Sequence, residues 1–142
     1  MAVSKPFRLR LNKRLFRRKT LEEVKKNMLV ATVFVRDRVK EKLNRGQPTR
    51  ITPGGTIIGL DPSLPGEPPK KITSQLQNSI RQRVESTKNS VVGLIGSDLK
   101  KAAALEFGNR KGTLKPRPYL RPTLMEQRRK ILRILAKGLA GV

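Results

Sequence analysis

The chain of 142 residues contains no cysteine, no histidine and no tryptophan. Without cysteine there is no disulfide framework and no thiol nucleophile; without histidine as well there is no Cys/His zinc site and no imidazole base. A cysteine-free chain also fits a reducing compartment. Acidic residues are scarce: 10 Asp and Glu stand against 33 Lys and Arg, a formal charge of +23. No run approaches the ~20 apolar residues needed to cross a bilayer. The basic N-terminus is not followed by an apolar run with a small-residue cleavage site, so secretion is not expected. Aromatics make up only 4% of the chain, as Phe7, Phe16, Phe34, Phe107 and Tyr119. A single-strand nucleic-acid binder would offer a row of stacking rings, and none is seen. What is present is 36% hydrophobic residues, enough for one modest core in one domain.

The charge excess lies at the two ends. Residues 1–45 carry 15 basic and 4 acidic side chains, residues 46–97 carry 6 and 3, and residues 98–142 carry 12 and 3. The densest run, Lys5 to Lys19, holds no acid. Blocks of like charge form solvated arms or straps onto phosphate and acidic neighbours. Residues 1–19 therefore read as a basic N-terminal arm and residues 20–142 as a single domain. Arg8, Arg10, Lys13, Arg14, Arg17, Arg18 and Lys19 are the candidate contacts to nucleic acid or an acidic partner. Phe7, Leu9 and Leu11 alternate with Arg8 and Arg10 as in a strand, whereas Phe7, Leu11 and Leu15 suit a helix, and both remain open.

Thr20 and Glu23 form the pattern of a capping box. Leu21, Val24, Met28, Ala31, Val35 and Val39 follow at helical spacing, predicting one helix over about 20–44, with Glu22–Lys26 and Glu41–Arg45 as pairs four residues apart. Val30, Val33 and Phe34 fall outside this apolar stripe and point to cover from another subunit. Residues 46–69 hold 11 Pro and Gly in 24 positions and read as a long loop. Thr73 is placed to cap a short helix carrying Leu76 and Ile80. Two strands, about 80–87 and 90–96, then join at a turn near Lys88-Asn89. Asp98 is expected to cap a helix from Leu99 to Phe107 that stops at Gly108. Pro116, Pro118 and Pro122 bracket an extended piece from Arg117 to Arg121. The last helix is expected over about 122–139, with Leu124, Ile131, Leu132, Leu135 and Leu139 on one arc; Arg128 falls within that arc without explanation. The fold class expected is α+β: a long N-terminal helix, a small antiparallel sheet, short middle helices, a C-terminal helix and a long Pro/Gly-rich loop.

Catalysis needs acids, bases or metal ligands in a workable constellation. Asp61, Asp98 and Lys100 form at most a weak nuclease-like set, and Asp98 is better spent as a cap. The chain reads as a binding or structural part, with no cofactor and no enzymatic activity expected.

Two stretches carry more information than composition. One is Leu64-Pro-Gly-Glu-Pro-Pro, followed by Thr73-Ser-Gln-Leu76 and Ser79-Ile80; the other is Ala104-Leu-Glu-Phe-Gly-Asn109, then Lys115-Pro-Arg-Pro-Tyr-Leu-Arg-Pro-Thr-Leu124. In order and spacing they resemble the neck and tail-completion family of long-tailed bacteriophages, also called head–tail joining or minor tail components. The resemblance covers roughly residues 20–140. Ser74 stands where the family has glycine, Asn109 where it has threonine and Tyr119 where it has phenylalanine, and the basic arm lies outside the pattern. The resemblance implies a small α+β subunit that forms a closed ring between the DNA-filled head and the tail. Its partners would be further copies of itself, the adjacent head-completion and tail-terminator or tail-tube proteins, and the genomic DNA in the channel, with no membrane. Its place would be the virion's head–tail junction, reached from the host cytoplasm during assembly. Val30, Phe34, Ile57, Ile58, Leu60, Leu64, Phe107, Tyr119 and Leu120 are the candidate subunit or ring contacts, and the loop at 46–69 is a natural reaching element. The rival reading is an independent basic nucleic-acid-binding protein of nucleoid or ribosomal type.

Overall fold

The computed structural model describes residues 7–12, 20–44, 53–54, 65–66 and 75–137, with Leu11 and Asn12 described by backbone alone. The expected loop contacts Ile57, Ile58, Leu60 and Leu64, the cap Thr73, and Lys13, Arg14, Arg17, Arg18, Lys19, Arg45, Asp61 and Leu139 lie outside the described residues.

The class is α+β. In chain order the elements are β1 (Phe7–Asn12), α1 (Leu21–Asn44), α2 (Gln75–Ser79), β2 (Ile80–Ser86), β3 (Ser90–Ser97), α3 (Lys100–Phe107), α4 (Leu120–Glu126) and α5 (Arg128–Ala136). β3 is central, with β1 and β2 antiparallel to it on either side. The strand reading of Phe7 to Leu11 is the one observed, so part of the basic N-terminal segment is built into the sheet.

α1 begins with the expected capping box: Glu23 N–H donates to Thr20 Oγ1 at 3.3 Å, and Thr20 N–H donates to the Glu23 carboxylate at 3.0 Å. Its stripe of Val24, Met28, Ala31, Val35, Val39 and Leu43 is buried across β2 and β3 and against α5. Each such side chain removed from water contributes roughly 1–3 kcal/mol. Gly93 lets the helix approach: a Cβ there would meet Thr32 Cγ2 at 2.4 Å and Met28 Sδ at 2.8 Å. Glu22 pairs with Lys25 at 3.0 Å, one residue from the expected Lys26, and Glu41 accepts Arg38 at 2.6 Å, while its expected partner Arg45 lies outside the described residues.

The C-terminal region departs further. Asp98 does not cap α3. Leu99 occupies that position with no side-chain cap bond, and the Ser97 hydroxyl accepts the Leu99 N–H at 3.1 Å instead. The single terminal helix is two, broken at Gln127 (φ −93°, ψ 3°). The first starts at Leu120, two residues early, and Pro122 falls in its first turn, where a missing N–H costs nothing. Arg128 is exposed, and Leu132, expected in the apolar arc, is exposed as well. Lys42 of α1 reaches Glu126 of α4 at 2.5 Å. Among the described residues no helix is long and apolar enough to cross a membrane.

Candidate functional site

The residues of the second motif stretch fold into one clasp between α3 and α4. α3 ends because Gly108 takes φ 77° and ψ 175°, a conformation open essentially to glycine alone, while its N–H donates to Ala104 O at 2.8 Å. Asn109 then closes a loop on itself: its Oδ1 accepts Leu114 N–H at 3.0 Å and its Nδ2 donates to Thr113 Oγ1 at 2.6 Å. The chain returns along α3, with Arg117 N–H donating to Leu105 O at 2.7 Å. The Arg117 Nε–H is buried with no hydrogen-bond partner, and nothing in the structure explains it.

At the return point the start of α4 has no Ser, Thr, Asp or Asn to cap it, since Tyr119 occupies the N-cap position. The acceptor comes from α3. The buried Glu106 carboxylate takes the N–H groups of Tyr119 at 2.7 Å, Leu120 at 3.0 Å and Arg121 at 2.9 Å. An anion at a helix N-terminus meets both the unpaired donors and the positive end of the dipole. Tyr119 completes the join: its hydroxyl donates to Ala102 O at 3.3 Å, and Thr123 Oγ1 donates to Tyr119 O at 2.7 Å. Burial, together with the nearby Glu106 charge, holds the phenol protonated far above its ordinary value. The first motif stretch touches the same place, because Gly66 N–H donates to Pro116 O at 2.9 Å.

Two of the expected subunit contacts are therefore corrected. Tyr119 and Leu120 are 1% and 4% exposed, filling this chain's own core, where the Pro-bracketed backbone places them against α3. Val30 and Phe107 are about half exposed, at 51% and 48%. Phe107 stacks on Phe7 of β1, with centroids 6.4 Å apart. Phe34 is half-buried, with Lys130 Nζ 4.7 Å and the Arg38 guanidinium 5.3 Å from its ring centre. Leu29 and Met125 are exposed apolar residues that sequence reasoning did not single out, and Leu132, expected to be buried, is exposed too. Of the basic candidates, Arg8 and Arg10 lie exposed on β1. Glu106 was missed as the central acceptor, although an uncapped helix start after a Pro-x-Tyr-Leu-Arg-Pro run signals that an acceptor must come from elsewhere.

Comparison with family models, curated proteins and solved structures gives no match. Among the described residues Glu106 bonds to the backbone N–H groups of the α4 N-cap and first turn, and the arrangement holds two helices and a return loop as one unit.

Proposed function

We propose that the chain is a structural subunit of the neck of a long-tailed bacteriophage, forming a closed ring that joins the DNA-filled head to the tail and lets the genome pass. The observation that carries this reading is the meeting of the family-like stretches in one clasp. The Glu of Ala104-Leu-Glu-Phe-Gly caps the helix opened by Arg117-Pro-Tyr-Leu-Arg-Pro, and the Pro-Gly of the first stretch bonds to Pro116. Residues spaced along the chain as a family pattern thus depend on one another physically, as a shared motif should. Such a subunit works by fit and not by chemistry. Ring contacts are heterologous and must close by rotation, so a neighbour would sit on a surface kept rigid beneath it. The exposed apolar residues Leu29, Val30, Phe107, Met125 and Leu132 supply surface for neighbours.

The test is genetic. Without this chain, filled heads and finished tails accumulate apart, and supplying the chain restores joining. Normal particles in its absence overturn the reading. The rival, an independent nucleic-acid binder, draws on the charge of +23 and predicts that particles form as usual.

A further inference from the structure

The outer face of the sheet carries a feature that the clasp does not use. Gly93 lies against Met28 and Thr32, and Gln82 accepts a hydrogen bond from Arg36 at 3.1 Å, so Phe7, Leu9, Gln82, Val84, Gly93 and Ile95 form the face toward α1. Strand alternation sends the intervening residues to the other side. Register pairs Arg8 with Leu94 and Leu94 with Arg83, making one row across three strands, with Leu94 itself only 6% exposed between its neighbours; the row on one side is Arg10, Val92 and Glu85, and Arg81, opposite Gly96, lies one row to the other side. All four arginines are exposed, with the single acid Glu85 holding Arg83 at 2.6 Å. Arg8, Arg10 and Arg81 have no ion pair among the described residues.

We propose that this face binds the phosphate backbone of duplex DNA. From strand geometry, the β1 and β2 columns stand about 10 Å apart and the rows span about 14 Å, a rigid plate of four arginines with one acid, Glu85, among them. Guanidinium forks match phosphate oxygens bidentately and hold their charge at any working pH. The described aromatic rings are not on this face: Phe7 faces α1, Phe34 lies on α1 beside Lys130 of α5, Phe107 ends α3, and Tyr119 is buried. A plate of cations without stacking rings grips backbones and not bared bases, so the contact is duplex and sequence-independent. Glu85 competes with phosphate for Arg83 and moderates the grip. Only the source of the DNA, the packaged genome, rests on the neck reading.

The experiment measures binding of the full chain to a random-sequence duplex across a salt series. Replacing Arg8, Arg10 and Arg81 by glutamine removes three phosphate contacts and makes the salt dependence shallower by about 3 in log–log slope, at ~0.9 per contact. Removing the same charge from α5 (Arg128→Gln, Arg129→Gln, Arg133→Gln) shifts the slope by less than about 1. Glu85→Gln tightens binding by freeing Arg83. Equal losses in both triple variants overturn the proposal, as does a parent chain that binds no duplex. So does a sheet variant that keeps duplex binding but loses binding to polyglutamate, which assigns the face to an acidic protein. Should the triple variant not fold, Glu85→Gln decides alone: tighter binding supports the proposal, unchanged or weaker binding overturns it. A chain that binds duplex yet is absent from particles defeats the neck reading and not this one.

Discussion

Replacing Glu106 by alanine removes the acceptor of three backbone N–H groups at once. Two belong to the buried residues Tyr119 and Leu120, where no water takes the place of the carboxylate; the third belongs to exposed Arg121. An unmet buried donor costs about 1–3 kcal/mol, so the pair costs about 2–6 kcal/mol. The interaction of the charge with the helix end adds about 0.3–1 kcal/mol. Relief from burying a carboxylate offsets part of this, leaving about 3 kcal/mol. In urea, with a slope of about 1.5 kcal/mol per molar, the unfolding midpoint falls by about 2 M. Glu106→Gln is milder, at about 1–2 kcal/mol, because its one oxygen can still serve Tyr119 and Leu120 as a single carboxylate oxygen now does. Hydrogen exchange adds a local reading: the amides of Tyr119, Leu120 and Arg121 lose protection in the alanine variant before those of β3. An alanine variant within about 0.5 kcal/mol of the parent, or a glutamine variant as damaged as alanine, refutes the capping role.

Three further outcomes follow from the same structure. Tyr119 is the only tyrosine and tryptophan is absent, so phenolate absorbance reads this residue alone. Its folded-state pKa is raised by burial and then by Glu106, so the folded chain keeps a proton that the unfolded chain gives up near pH ~10. Stability is full below that pH and falls as pH rises beyond it, by up to about 1.4 kcal/mol per unit; a phenolate signal at the ordinary pH in the folded chain contradicts the burial. Gly108→Ala, whose Cβ would meet Leu114 O at 2.9 Å, costs about 2–4 kcal/mol, whereas Gly112→Ala, in open space at φ 70°, costs about 1 kcal/mol; equal losses in thermal unfolding count against the clasp. Deleting residues 54–63 leaves a folded chain but particles whose heads and tails stay separate, and normal joining contradicts the role of that segment as a reaching element.

Local patterns carried much of the fold. The Thr20–Glu23 box and the stripe through Val39 are contained in consecutive turns, so α1 is legible from neighbours in sequence. The hairpin of β2 and β3 is legible for the same reason. What was not legible depends on distant partners. The N-terminal alternation of Phe7, Leu9 and Leu11 becomes a strand because β3 offers it a free edge, a fact absent from residues 5–19. Asp98 is a good cap by type, yet the Ser97 hydroxyl takes the Leu99 N–H. Tyr119 and Leu120 look like presented residues between prolines, but the Glu106 carboxylate, more than ten residues away in sequence, turns them inward to start α4. The arginines of the sheet face were half visible. Arg8 and Arg10 stood out in a basic run, while Arg81 and Arg83 join them only through strand register.

The proposed neck role requires this chain to sit as a ring at the head–tail junction. On that reading, the most direct test is to label the chain in purified phage particles and image them by electron microscopy. The expected result is label confined to the neck, with averaged density closing into a ring of identical subunits. Label spread through the packaged genome, or particles that carry none, would contradict it.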